Sequence, residues 1–237
     1  ERIRNYLKLE QLFVQAAGCL ECDIATTHNV FFNALFAIID TLDRNDIRGD
    51  LIKDMEKLEQ NLVIWSQAPD IDSTALDQNL QQAVALICQL KNTKPQWTLL
   101  KDDKFLAGLK QRFAIQGGSC TFDLPQLLFW LSQSQKKLVS EMTEWLALLD
   151  QIKSALSLIL KFIRQRGQFT KISTESGFYQ DNGEGLMLLR IKVPQSSNHY
   201  PTVSGNKFRY SIRFMLLCEE NGRRYSNQST SFELSRC

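Results

Sequence analysis

The chain is short of the residues that most catalysis needs. Its 237 residues include two histidines, His28 and His199, and neither has a recognisable partner in the sequence. G-x-S-x-G, G-x-x-x-x-G-K-[ST] and G-x-G-x-x-G are all absent, which removes the common nucleophile turn and the common phosphate-cradling loops. The six cysteines contain a single C-x-x-C, Cys19 to Cys22, with no second copy to complete a zinc set and no thioredoxin-like βαβ pattern around it. Free, mostly buried thiols in a reducing compartment are expected. No apolar run is long enough to span a bilayer, and no signal peptide is visible. The first residue is Glu1 rather than Met, so no targeting argument is drawn from that end. A net charge of +2 excludes a polycation, so attraction for an acidic partner has to come from local clustering. No internal repeat or low-complexity tract stands out.

Gly117-Gly118-Ser119-Cys120 offers a hydroxyl and a thiol, but a nucleophile needs a base within hydrogen-bond reach. The stretch reads as a tight turn followed by a buried thiol, and Cys120 is expected to have no catalytic role. Asp102-Asp103 and Glu219-Glu220 are adjacent carboxylates, which do not face each other on a helix and point to opposite faces on a strand. A binding protein without metal or cofactor outranks an enzyme on these residues.

Hydrophobic residues make up 43% and charged residues 23%, a composition that supports a sizeable core. From Glu1 to Arg166 the apolar period is helical. A first helix runs to about Cys22. A second, capped by Thr26 or Thr27, is apolar nearly all round and therefore central. A third, Asp46 to about Gln67, carries the narrow seam Leu51, Met55, Leu58, Leu62 and Trp65, with Pro69 beyond its end. Ser73 caps a fourth with Leu76, Leu80, Val84, Ile87 and Leu90 on one face. Shorter helices follow around Asp102–Phe113 and after Pro125, and the spacing from Gln133 to Arg166 fits one long helix or two joined near Asp150.

At Gly167 the period changes. Strands are expected over Leu186–Val193, Phe208–Leu217 and Ser229–Leu234, with hairpin-type turns at Asp181-Asn182-Gly183 and Asn221-Gly222. Helices followed by strands define an α+β protein, with an all-helical domain over 1–166 and a smaller antiparallel β-domain over 167–237. One strand separates cleanly by period two. Phe208, Tyr210, Ile212 and Phe214 fall on an apolar face, and Lys207, Arg209, Ser211 and Arg213 on the other. The cationic face is either a solvated outer surface of a sheet or a docking surface for something acidic.

Several stretches together resemble the ZapD family of bacterial division proteins. They are Arg4-Asn5-Tyr6-Leu7-Lys8-Leu9-Glu10, Lys110-Gln111-Arg112 and Gly117-Gly118-Ser119-Cys120-Thr121-Phe122-Asp123-Leu124-Pro125. The resemblance is densest in Gly177-Phe178-Tyr179-Gln180-Asp181-Asn182-Gly183, Tyr200-Pro201, and Ser204-Gly205-Asn206-Lys207 through Arg209 to Arg213-Phe214. It implies a cytoplasmic homodimer that works at mid-cell; the excess of apolar seams, the Leu51–Trp65 stripe of the third helix besides the all-round apolar second helix, places the dimer contact mainly in the helical domain. The resemblance also implies binding to the partly acidic, partly apolar C-terminal peptide of FtsZ, and cross-linking of FtsZ filaments in the Z ring. Arg209 and Arg213 match family arginines associated with that tail, and Lys207 matches too. Arg190 on the neighbouring predicted strand and Arg44 after the second helix look like further family arginines. Lys8 and Lys104 stand where the family can carry arginine, so charge is kept but bidentate geometry is not. Leu128 stands where a family histidine can occur. The same basic strand face also fits nucleic acid, against which stand the near-neutral net charge and the rarity of flanking basic clusters. No membrane partner is expected.

Overall fold

A computed structural model describes residues 1–66, 73–218 and 222–237, apart from the side chain of Ser73. The cap expected from Ser73, the stop at Pro69, the pair Glu219-Glu220 and the turn residue Asn221 fall outside the described residues. The fold is α+β: helices come first and antiparallel strands follow. The chain divides into two compact units, Glu1–Ile159 and Leu160–Cys237.

The helices of the first part are α1 (Arg2–Cys19), α2 (Ile24–Arg44), α3 (Ile47–Trp65), α4 (Ser73–Asn92), α5 (Leu99–Asp102), α6 (Lys104–Phe113), α7 (Pro125–Leu131), α8 (Gln135–Ala147) and α9 (Asp150–Gln165). Their starts follow capping chemistry. The Asp23 side chain accepts from the Ala25 N–H and opens α2, while the Thr26 and Thr27 hydroxyls donate to the Asp23 carbonyl; Asp23, not either threonine, is the cap. Asp46 and Asp103 cap α3 and α6 in the same way, through the N–H groups of Gly49 and Leu106. The long apolar run after Gln133 resolves into two helices, α8 and α9, joined at Leu148-Leu149.

α2 is central, as its all-round apolar sequence requires. Phe31, Phe32, Leu35, Ile38 and Ile39 are buried along it. Around Phe32 gather the rings of Phe31, Phe36, Phe105, Phe113, Trp130 and Trp145, each with its centroid between 5.3 and 6.3 Å from that of Phe32. These pairings, edge-on or tilted except for the stacked Phe36 ring, suit the ring quadrupoles. The α3 stripe Leu51, Met55, Leu58 and Leu62 is buried within the same unit. On α4 the buried face runs through Leu76, Ala83, Leu86, Ile87 and Leu90, and Val84 is exposed rather than part of it.

The second unit contains β1 (Phe169–Thr174), β2 (Phe178–Asn182), β3 (Leu189–Lys192), β4 (His199–Gly205), β5 (Arg209–Leu216), β6 (Arg224–Tyr225) and β7 (Thr230–Arg236). They form two antiparallel sheets. One has the order β1-β7-β3; the other has the order β2-β5-β4, with β6 also pairing with β5. Gly167, just before β1, is required by close approach: a Cβ there would collide with the Arg236 carbonyl. The sheets bury one shared core. Tyr210, Ile212 and Phe214 from β5 meet Phe232 and Leu234 from β7, and the Phe214 and Phe232 rings lie 5.0 Å apart.

A polar bracket ties the two sheets at one edge of this core. The Asp181 carboxylate on β2 accepts from the Tyr179 hydroxyl at 3.1 Å and the Tyr210 hydroxyl at 3.4 Å, and pairs with Arg236 of β7 at 2.9 Å. It also accepts from the Asn182 N–H at 2.7 Å. That backbone hydrogen bond comes first among the causes that hold the Asp181 carboxyl below its ordinary value. Burial, with the neighbouring charge, pushes the Tyr210 phenol well above its own.

Candidate functional site: the outer face of the β2-β5-β4 sheet

β5 is paired on both sides, so its alternation is held by register as well as by sequence. Tyr210, Ile212 and Phe214 turn to the core, and Arg209, Ser211, Arg213 and Met215 to the opposite face. The neighbours on that outer face follow from the pairing. Arg213 stands between Phe178 of β2 and Thr202 of β4; Ser211 stands between Gln180 and Ser204; Met215 stands between Tyr225 of β6 and Tyr200. Asn182 is opposite Arg209. Among the described residues these rows contain two guanidinium groups and no carboxylate.

The two arginines differ in their surroundings. The Arg213 guanidinium carbon lies 4.8 Å from the ring centroid of Phe178 and 4.5 Å from that of Tyr225, both within cation–π range. Its N–H groups have no acceptor, and no carboxylate pairs with it, among the described residues. Arg209 is exposed, with neither a ring nor a carboxylate partner among them.

Three sequence expectations are corrected here. Phe208 is not a core residue: it is 64% exposed, and β5 begins one residue later. The reason is Asn206, whose side-chain oxygen accepts from the N–H groups of Phe208 and Arg209 while its own N–H donates to the Arg209 carbonyl. This closes a tight turn across Lys207 and Phe208, so the strand alternation does not reach them. Lys207 therefore sits in the turn, its Nζ 4.8 Å from the Phe208 ring centroid, and not in the row of Arg209 and Arg213. Arg190 is on the other sheet: β3 pairs with β7, not β5. Its guanidinium lies over the Phe169 ring at 4.8 Å and donates to the Arg164 carbonyl at 3.5 Å, in the last turn of α9, where a cation complements the helix end.

The remaining expected residues belong to the first unit. Lys8 on α1, Arg44 in the last turn of α2 and Lys104 at the start of α6 are all exposed, and none forms an ion pair with a described residue. Lys104 borders a pocket of about 340 Å³ with Phe105, Phe129, Trp130 and Lys137. Leu128 is exposed on α7. Cys120 is exposed, against the expectation of a buried thiol. It follows a turn in which Gly117 takes φ 74° and a Cβ on Gly118 would strike the Arg112 carbonyl. Of the six cysteines, Cys19 and Cys237 are buried, Cys218 is half-buried, and Cys22, Cys88 and Cys120 are exposed. Burial raises the Cys19 thiol above its ordinary value.

The aromatic neighbours of Arg213 escaped the sequence reading, because they reach it across strand pairings. Arg223 and Arg224 were missed too; both are exposed immediately ahead of Tyr225. The signal available was a turn glycine, Gly222 at φ 69°, followed by Arg-Arg-Tyr.

Fold and face together define an α+β protein with a cationic sheet surface bordered by aromatic rings. The family described as "ZapD: Cell division protein" matches residues 7–213. The Cell division protein ZapD of Idiomarina loihiensis is 39% identical over 238 residues, covering 100% of this chain and 93% of that protein. Those of Yersinia enterocolitica and Shigella flexneri are 35% and 34% identical over 237 residues, again with 100% of this chain and with 94% and 95% of their own lengths. The chain belongs to the ZapD family of cell division proteins. Its relatives are named for that role and not for a catalytic activity. No helix among the described residues is long and apolar enough to cross a membrane, and no cluster of three or more His, Cys, Asp or Glu able to hold a metal occurs among them.

Proposed function

We propose that this protein binds the short, partly acidic C-terminal tail of FtsZ on the outer face of the β2-β5-β4 sheet. As a homodimer it then cross-links FtsZ filaments at the cytoplasmic division site. The observation that carries the reading is the pair Arg209 and Arg213 on a face without a described carboxylate. Cations left without an internal counter-ion retain their charge for a partner, and Arg–carboxylate pairs orient it. A tail ordered on binding loses conformational entropy, so each site is weak to moderate. Two sites per dimer, facing polymers that display many tails, convert weak sites into firm bundling. Lys207 at the edge of the face adds steering charge. Lys8, Arg44 and Lys104 act as further basic contacts for the tail or for the filament.

The α3 stripe from Leu51 to Leu62 is covered within this chain and does not argue for a dimer; only Trp65 at its end is exposed. Ile115, Phe122, Leu128 and Phe129 support one better: they are exposed between positions 115 and 129 of the first unit, and Phe122 is 79% exposed. Sedimentation equilibrium at micromolar concentration decides this part, and a single monomeric species would sink it.

The test of the site is a titration of fluorescent FtsZ tail peptide against the parent, Arg209→Ala and Arg213→Ala, with thermal melts alongside. Both variants should fold like the parent and bind more weakly, and binding should fall as salt is raised. Parental binding by both at low salt reduces the face to a solvated surface. A duplex DNA arm covers the other polyanion: DNA binding stronger than tail binding would replace this reading.

A further inference from the structure

The two arginines of the face are not equivalent, and the difference lies in the rings around Arg213. We infer that Arg213 is the anchor for a carboxylate flanked by an apolar side chain, that Phe178 and Tyr225 are its positioning residues, and that Arg209 contributes general charge. The inference rests on the proposed tail-binding reading and names the partner feature that the site selects.

A guanidinium is planar: its two faces are weakly hydrated, while its N–H groups radiate from its edge. Rings that contact a face leave the edge open, and they limit the rotamers of a side chain that is otherwise costly to immobilise. Arg213 lies within 4.8 Å of both ring centroids, with its N–H groups unused by any described residue. It is therefore partly ordered before a ligand arrives, and its open edge suits two parallel N–H···O bonds to a single carboxylate.

The surroundings supply the second half of the recognition. Tyr225, 61% exposed, Phe178, 37% exposed, and Tyr200, 38% exposed, present apolar surface around Arg213 and Met215 on the same face. Thr202, Ser204 and Ser211 beside them add hydroxyls but no charge. An acidic peptide whose carboxylate neighbours an aliphatic or aromatic side chain satisfies both halves. A run of acidic residues without apolar neighbours satisfies only the first. Arg209 has no ring beside it and opposes Asn182, so it offers charge without orientation.

The experiment uses the full chain and the same tail-peptide titration, with Arg213→Lys, Arg209→Lys, Phe178→Leu, Tyr225→Leu and the combinations of the ring variants with Arg213→Lys. Arg213→Lys keeps charge and loses the planar fork, and should weaken binding about tenfold, whereas Arg209→Lys should change it by less than about twofold. The two leucine variants together should cost about tenfold in the parent and almost nothing in the Arg213→Lys background, because rings that position a guanidinium have nothing to position once it is gone. A merely structural role for the rings would leave the same loss in both backgrounds. If the leucine variants melt early, Phe178→Tyr and Tyr225→Phe keep the ring faces and should bind like the parent. Parental binding by Arg213→Lys, parental binding by the leucine pair, or a ring effect independent of residue 213 overturns the inference while leaving the tail-binding reading intact. Parental binding by Arg213→Ala and Arg209→Ala overturns the reading itself.

Discussion

The two sheets of the second unit share one core and present opposite outer faces, and those faces handle cations differently. On the β1-β7-β3 sheet Glu233 stands in register between Lys171 and Lys192, with Lys192 at 3.7 Å from its carboxylate. Lys192 also lies over the Phe169 ring at 3.9 Å, and Arg190 turns to the last turn of α9. A groove of about 580 Å³ opens on this sheet, lined by Lys171, Lys192 and Glu233 together. On the β2-β5-β4 sheet the equivalent row is Phe178, Arg213, Thr202: a cation between two uncharged neighbours. A basic row on a sheet can thus carry its own counter-charge, as the first does, or lack one among the described residues, as the second does. What distinguishes one sheet from the other is a single carboxylate on the middle strand.

The largest effect belongs to the core beneath both faces. Phe214 is fully buried where the sheets meet, and Phe214→Ala should destabilise the second unit by about 3–5 kcal/mol, whereas Phe208→Ala, on an exposed turn, should stay within about 0.5 kcal/mol. Denaturant titration followed by circular dichroism measures both, and a large loss in the Phe208 variant would restore that residue to the core. Next comes conversion of one face into the other. Thr202→Glu places a carboxylate opposite Arg213, as Glu233 is placed opposite Lys192. It should leave the melting temperature nearly unchanged and weaken tail-peptide binding roughly tenfold by internal competition. Unchanged affinity in that variant would mean that charge balance does not separate the sheets.

Smaller changes act on the bracket between the sheets. The Asp181 carboxyl is held below its ordinary value of 3.8, so its ionised form is favoured in the folded state. Its contribution to stability is present above that value and is lost as pH falls through the lower folded one. Asp181→Asn should therefore melt earlier than the parent at neutral pH, with the gap closing as the solution is acidified below 3.8. A gap independent of pH would assign the effect to packing instead. The smallest effect is expected for Glu233→Gln, an exposed pair worth roughly 0.2–1 kcal/mol of stability, with tail binding untouched. Gain of tail binding on that sheet would show that Glu233 had been masking a second site.

The fold class was legible because both periods are strong: helical spacing up to Arg166 and alternation after Gly167. The β5 alternation from Arg209 to Phe214 was legible for the same reason. What escaped was information that pairing creates. Which sheet holds Arg190 depends on β3 choosing β7 as its neighbour, a long-range choice without a local signal. That Phe178 and Tyr225 converge on Arg213 depends on the register of two other strands against β5. The misplacement of Phe208 and Lys207 has a local cause: a single asparagine side chain closes a turn ahead of the strand and delays the alternation to Arg209. Cys120 was expected to be buried from its type alone, and the turn built on Gly117 and Gly118 carries it outward.

β5 has a consequence for how this protein can change over generations. One strand supplies the core from its even positions and the proposed binding face from its odd ones, and it is paired on both edges. Gaining or losing one residue within Arg209–Leu216 would exchange the two sets, sending guanidinium groups inward and aromatic rings outward in a single step. Drift in length is closed to this segment, so partner preference can be retuned only by substitution at alternate positions. The turn at Lys207-Phe208, outside the pairing, is the nearest place where an added residue could be absorbed.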